Sequence, residues 1–388
     1  MRRKLILSGL ALLTLGWNTN AQASDAAVAR KVEAILSAAT SPDAPGLAAL
    51  VLQNGKTLFE RGYGLRDLRT KSKIDAHTNF RLASFTKQFT AMAIMLLVHD
   101  GKLRYDDTMT KFFPDFPAYG KDITIRNLLN HTSGLPDYED LMRAEEKAKG
   151  PIWTPEYQIQ DEEVLQLLEK ASSGFFAPGT SWAYSNSGYV LLGLVVAKVS
   201  GKPFGDFLAE RIFVPLHMDH TLVYVKGRNQ VTNRAYGHTK EKETGVFKET
   251  DQSPTSATQG DGGIYTSLQD LAKWDDALRN HTLLSAEEMK PAITAVKLQD
   301  GSPTHWPDEP HGDNGTPGKP VSYGFGWFLD PYQGRPRMWH TGATMGFSTV
   351  IERFTDDNLT VIVLCNRTDL NETKLAENVA GLYLQPVP

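Results

Sequence analysis

One cysteine in 388 residues leaves no partner for an internal disulfide, so this chain must draw its stability from its core. That residue, Cys365, ends Val361-Ile362-Val363-Leu364-Cys365, which reads as a buried strand. The thiol is therefore a small core residue before it is a nucleophile. No basic tract is present: 41 Lys and Arg stand against 45 Asp and Glu, a net charge of −4, which argues against nucleic acid as a partner. Long apolar runs are missing too. Leu5 to Leu15 is too short, and too soon followed by Asn18 and Asn20, to make a membrane span. There is no H-E-x-x-H or H-x-H-x-D-H pattern for a catalytic metal and no G-x-S-x-G nucleophile elbow. Internal repeats and low-complexity linkers are also lacking.

What is there begins with a leader. Arg2, Arg3 and Lys4 precede the apolar run, and Ala21-Gln22-Ala23 offers small residues for cleavage. The expectation is a signal peptide over 1–23, cut after Ala23, and a secreted or periplasmic product without a stable membrane span. Its removal takes the formal charge to −7. Beyond it, 41% hydrophobic residues can fill a substantial core. A helix is expected over Ala26–Ala38, then a hairpin of Leu47–Gln53 and Lys56–Tyr63 about Asn54-Gly55, a pair suited to a type I′ turn. Tyr138 to about His217 reads as mostly helical, with an amphipathic Asp161–Lys170 and a Tyr189–Val199 apolar nearly all round. Asp161-Glu162-Glu163 are ordinary first-turn acids. A helix runs from Ser267 to Leu278, and Asp300–Pro320 reads as an exposed loop. Strands Met338–Thr341, Ser348–Phe354 and Leu359–Cys365 precede a last helix, Glu372–Tyr383. Strands at both ends with helices between them predict an α/β (α+β sandwich) fold. One antiparallel sheet is flanked by helices, with an all-helical subdomain inserted. The α/β part would take roughly 24–105 and 255–388, the helical subdomain roughly 106–254.

Three short patterns carry chemistry. In Phe80–Thr90, Ser84 and Lys87 are three apart, and Phe85, Phe89, Met92 and Leu96 recur at helical spacing with no breaker before Gly101. Ser84 would open that helix with the Lys87 amine one turn below, and a desolvated lysine can take a serine proton. Next, Tyr184 and Asn186 are two apart in a loop before an apolar helix. Close to an ammonium, a phenol loses its proton more easily, and an Asn can bond both lysine and substrate. Last, Trp339-His340-Thr341-Gly342-Ala343 lies on a late strand, where Gly342 lets a substrate approach. The Ala343 N–H, paired with that of Ser84, could form an oxyanion hole, and His340 could assist the Tyr184–Lys87 pair electrostatically. Taken singly, each pattern also reads as a capping serine, a loop Tyr and Asn, or a structural histidine. Arg335 and Arg337 read first as edge charges that discourage strand pairing and second as anchors for a substrate carboxylate.

The order S-x-x-K, Y-x-N, H-T-G, with 100 and then 156 residues between them, resembles the serine β-lactamase/penicillin-binding-protein superfamily. The resemblance is to the branch of class C β-lactamases, D-alanyl-D-alanine carboxypeptidases, D-aminopeptidases and β-lactamase-fold esterases, and it runs from about Val32 to Leu384. Asn130–Pro136, Gly262–Ser267 and Tyr323–Trp327 look typical as well. The resemblance implies a β-lactamase/transpeptidase-like fold with no cofactor. It makes Ser84 the acylated nucleophile, Lys87 and Tyr184 its joint general base, and Tyr184 the proton donor to the leaving group. Asn186 would position substrate, with His340, Thr341, Gly342 and Ala343 as the strand it lies against. His217-Met218-Asp219-His220 becomes a structural turn. His340 stands where class C β-lactamases usually have Lys, which leaves peptidase and esterase chemistry open. The leading reading is an exported serine hydrolase that acts through a Ser84 acyl-enzyme on amide, peptide or ester bonds of a small-molecule or peptide substrate, related to D,D-peptidases and β-lactamases. A carboxylesterase and a penicillin-binding sensor without turnover are the alternatives. Oligomeric state is not legible.

Overall fold

The computed structural model describes residues 15–308 and 316–384, with side chains of the first helix described from Ala26 onward. Most of the expected leader lies outside the described residues, and the expected cut after Ala23 falls within helix α1 (Leu15–Ala38). Strands β1 (Leu47–Gln53) and β2 (Lys56–Tyr63) follow as the expected hairpin. Asn54 and Gly55 both have positive φ, +52° and +74°, as a type I′ turn requires. A ribbon of β3 (Leu65–Asp67) and β4 (Ser72–Lys73) leads to β5 (Phe80–Arg81), a 3-10 turn at Ala83–Thr86 and helix α2 (Lys87–His99).

The middle of the chain is mainly helical: α3 (Ile125–Leu129), α4 (Tyr138–Lys149), α5 (Asp161–Lys170), α6 (Asn186–Ser200) and α7 (Phe204–Leu208). After it come β6 (Leu222–Val223), the ribbon β7 (His238–Lys240) with β8 (Phe247–Glu249), and β9 (Ile264–Thr266). The chain continues through α8 (Leu268–Arg279) and α9 (Ala286–Met289). It ends with strands β10 (Arg337–Thr344), β11 (Phe347–Phe354) and β12 (Leu359–Cys365) and helix α10 (Glu372–Ala380).

The main sheet has the order β10-β11-β12-β1-β2, antiparallel throughout, so the two ends of the chain interlock at β12–β1. Its period-2 pattern divides the core. Ala48, Leu50, Leu52, Ile351, Ile362 and Leu364 face the large cluster that contains α2 and α8. The alternate residues Leu47, Ala49, Val51, Val350, Val361 and Val363 face α1 and α10. Because both faces are covered, β12 is buried along its whole length, including Cys365. Helix α6 is apolar nearly all round because α2, α3, α5 and α7 surround it. Burying each of its Val and Leu side chains is worth roughly 1.5–3 kcal/mol. That packing ties the helical region to the helix that carries Lys87.

The small sheet β5-β9-β6 serves the site. Leu82 N–H donates to the Ile264 carbonyl (2.8 Å) and Thr90 Oγ1 to that of Gly260 (2.6 Å), which holds the Gly260–Ile264 segment against the start of α2. One expectation is corrected. Ser84 sits in the 3-10 turn and not in the α-helix, which starts at Lys87. The expected exposed loop over Asp300–Pro320 is partly described and is mostly exposed there, with its flanks anchored. Thr304 is buried and donates to the Val321 carbonyl (2.5 Å), and the Trp306 ring meets Trp182 edge-on at 4.9 Å.

Candidate active site

Ser84 owes its position to a kink. Ala83, just before it, has φ +50°, a left-handed conformation that L-residues with a Cβ seldom adopt and that often marks functional turns. The turn is braced by Thr349 Oγ1 donating to the Leu82 carbonyl (2.8 Å) and by the Ile264 N–H on Thr86 Oγ1 (3.3 Å). One turn on, Lys87 is fully buried, and its Nζ reaches three oxygens. These are Ser84 Oγ at 3.0 Å, Asn186 Oδ1 at 2.8 Å and the Asp261 carbonyl at 3.1 Å. Burial pushes Lys87 down to about 8, while Asp261, Asp137 and Glu139 pull it up. Asn186 Oδ1 and the Asp261 carbonyl can only accept. In the neutral amine they take both N–H groups and leave the lone pair to Ser84 Oγ. The site therefore holds a lysine shaped as a base.

Tyr184 stands over the same nitrogen, its ring centre 4.9 Å from Lys87 Nζ. Its hydroxyl behaves opposite to expectation. Burial raises the pKa well above the ordinary phenol value, against a hydrogen bond with Ser84 that lowers it, so Tyr184 is a neutral phenol and not a phenolate. His340 also departs from expectation. Burial, and then the nearby Lys87 charge, push it down to about 3, so it brings no positive charge. Its Nδ1 faces the Thr341 carbonyl at 2.6 Å, which fixes the proton there and leaves Nε2 to accept from Tyr323 Oη at 3.0 Å. His340 thus braces the strand, and it is held by Tyr323 of the Tyr323–Trp327 segment.

Strand β10 supplies the opposite wall. A Cβ on Gly342 would lie 1.9 Å from the Leu82 carbonyl oxygen, so only glycine lets the strand close on the turn that carries Ser84. On the outer edge, Trp339 exchanges both main-chain hydrogen bonds with Phe328 at 2.9 Å. By ladder alternation, the main-chain groups of Thr341 and Ala343 point the same way, and Ala343 is exposed. The structure therefore gathers Ser84, Lys87, Tyr184, Asn186, His340, Thr341, Gly342 and Ala343 in one place. Arg335 and Arg337 are not carboxylate anchors. Arg335 pairs with Asp357, and Arg337 is buried against Asp330 (2.7 Å) and Glu352 (2.8 Å).

Two contributors went unseen in the sequence. His131 lies in a segment that resembled the family but showed no catalytic atoms. It is fully buried with φ +63°, takes the Ser185 N–H on Nδ1 (3.1 Å) and the Ala183 N–H on its carbonyl (3.0 Å), and so clamps both neighbours of Tyr184. Its ring centre is 4.4 Å from that of Tyr184, and burial holds its pKa well below the ordinary histidine value. Asp261 was hidden for a simpler reason: it reaches Lys87 through a main-chain carbonyl, which no side-chain pattern reports. Among the described residues, no cluster of three or more His, Cys, Asp or Glu could hold a metal ion.

The family model described as beta-lactamase matches residues 25–384. A penicillin-binding protein of Bacillus subtilis is 32% identical over 354 residues, 87% of this chain and 72% of the relative. A D-aminopeptidase of Cereibacter sphaeroides is 27% identical over 329 residues, 83% of this chain but 57% of its own. Among solved structures, the D-amino acid amidase of Ochrobactrum anthropi, in complex with L-phenylalanine amide, superposes with a TM-score of 0.73. It is 26% identical, covering 92% of this chain and 96% of its own.

Proposed function

The chain belongs to the beta-lactamase family, and from that premise we propose that it is an exported serine hydrolase that cleaves amide, peptide or ester bonds through an acyl-enzyme on Ser84. The observation that carries this reading is the buried Lys87 amine with two carbonyl oxygens on its N–H groups and Ser84 Oγ on its remaining valence. Ser84 Oγ attacks the substrate carbonyl carbon while its proton passes to Lys87 Nζ, and the Ser84 and Ala343 N–H groups receive the oxyanion. As the tetrahedral adduct collapses, the leaving nitrogen or oxygen takes the proton of neutral Tyr184, which is restored from the Lys87 ammonium. Water then cleaves the ester on Ser84 and regenerates the serine. With Lys87 near 8, about a tenth of the molecules hold the neutral base at pH 7, so activity should rise towards pH 8–9.

The leading substrate class is a peptide or related amide, as for D,D-peptidases and β-lactamases. One observation favours a narrower second reading. Arg335, just before β10, and Arg337, its first residue, are both engaged with carboxylates of the chain itself, which suits an amide or ester substrate that presents no free carboxylate. Export is proposed from the leader, and N-terminal mass analysis of the secreted or periplasmic product checks it.

The deciding experiment mixes the protein with a penicillin, a cephalosporin, p-nitrophenyl acetate and D-phenylalanine amide, following intact mass and product release. A persistent adduct on Ser84 with slow release identifies a penicillin-binding peptidase, and rapid β-lactam loss a β-lactamase. Turnover confined to the ester or the amide identifies an esterase or amidase. Ser84→Ala is expected to abolish adduct and turnover alike; full activity in that variant overturns the mechanism.

A further inference from the structure

The residue whose carbonyl holds Lys87 also carries a carboxylate that the reaction scheme leaves unused. Asp261 is buried, and its carbonyl is one of the three oxygens on Lys87 Nζ. Its side chain turns to the helical region, where Oδ2 accepts from Tyr138 Oη at 3.3 Å. The other oxygen, Oδ1, is buried with no hydrogen-bond partner among the described residues. Tyr138 Oη also lies 3.5 Å from Thr258 Oγ1. A buried carboxylate with a single neutral donor is costly to keep charged unless a cation stands close by.

We infer that Asp261 is a positioning residue for the acyl-transfer reaction. Its main chain orients the Lys87 amine and its carboxylate holds the lysine charge in balance between base and ammonium. The inference rests on the reading of Lys87 as the base for Ser84. The surroundings leave Asp261 this task. Of the charges that act on Lys87, Asp261 is the strongest, and Asp137 and Glu139 at the start of α4 follow. From the other sides Lys87 meets Tyr184, Tyr189, His131 and His340. Burial holds both phenols protonated and both imidazoles neutral. Asp161, whose Oδ1 takes the Gln259 N–H at 3.0 Å, is buried, and that burial pushes it well above the carboxylate range. Without the Asp261 charge, burial would drive Lys87 below about 8. The ammonium that has to return a proton to the leaving group would then be scarce.

The test is the pH profile of Ser84 labelling by a fluorophosphonate, followed by intact mass between pH 5 and 10 on the full chain. Asp261→Asn keeps shape and carbonyl but removes the charge. Its acid limb is expected to move about one pH unit lower than that of the wild type. Asp261→Glu should restore it in part. Thermal unfolding gives a readout that needs no activity. The rise of melting temperature with pH that Lys87 causes should begin at lower pH in Asp261→Asn and vanish in Asp261→Asn/Lys87→Met. If the limb of Asp261→Asn coincides with that of the wild type, the inference is overturned. Labelling that persists in Ser84→Ala overturns the serine mechanism instead.

Discussion

At the scale of single residues, burying Lys87 is a stability cost that its proposed role as a base requires. Its pKa of about 8 in the fold against 10.5 in the unfolded chain means that the unfolded state binds more protons between those values. Stability should therefore rise with pH across that window, and below pH 8 the buried ammonium costs roughly 3 kcal/mol. Lys87→Met fills the same space without the charge. It should be more stable than the wild type by about that amount at pH 7, with the gap narrowing towards pH 10.5. The same variant should lose about 10³–10⁴-fold in Ser84 acylation, as expected for removal of a general base. Urea titrations at pH 7, 9 and 10 and burst kinetics with p-nitrophenyl acetate check the two halves. Parallel stability curves for the two proteins would contradict the buried-ammonium account. Ser84, Lys87, Tyr184 and Asn186 are legible in the sequence through the order of their motifs and the family that order resembles, since each pattern alone also reads as ordinary local structure. The protonation of Tyr184 and His340 is not, because burial dominates both and burial is a property of the fold.

Elements with a regular period were legible, and those defined by tertiary contact were not. The hairpin at Asn54-Gly55 and strand β12 could be read from turn chemistry and continuous apolar character. The break between the 3-10 turn at Ser84 and α2 could not, since Phe85, Phe89, Met92 and Leu96 keep helical spacing across it. That break depends on Leu82 being held by β9 and β11, far away in sequence. The fit of β10 against the same turn is equally specific. Gly342→Ala would set a methyl 1.9 Å from the Leu82 carbonyl and 2.6 Å from Thr349 Oγ1, and a main-chain carbonyl cannot swing aside. The edge strand must then retreat by a fraction of an ångström to an ångström, a displacement that costs on the order of 10² in rate when it moves an oxyanion donor. Since β10 borders only β11 in the sheet, the urea midpoint should fall far less than the activity does. A kcat/KM for p-nitrophenyl acetate within a factor of three of the wild type would show that the strand does not hold the oxyanion.

Over the whole molecule, the site depends on a sheet closed by both chain ends. Its outer face is covered by α1 and α10, where Ala376, Val379 and Ala380 are fully buried against Val361 and Val363 of β12 and their neighbours. Its inner face holds α2 and, through it, Lys87. The strand that carries His340 to Ala343 hangs from β11, which pairs directly with β12. Loss of α10 packing should therefore reach the active site even though no atom of α10 belongs to it. Val379→Asp places an unpaired carboxylate in this apolar layer, for which several kcal/mol of destabilisation are expected. In urea, the loss of Ser84 labelling and the loss of far-UV circular dichroism should coincide in the wild type. Both midpoints should shift down together in the variant. Activity that disappears well before the circular dichroism in the wild type would mean that the Ser84 turn and β10 part locally while the sheet stays intact. Chain closure and catalysis would then be uncoupled, and the packing of α10 would matter to stability alone.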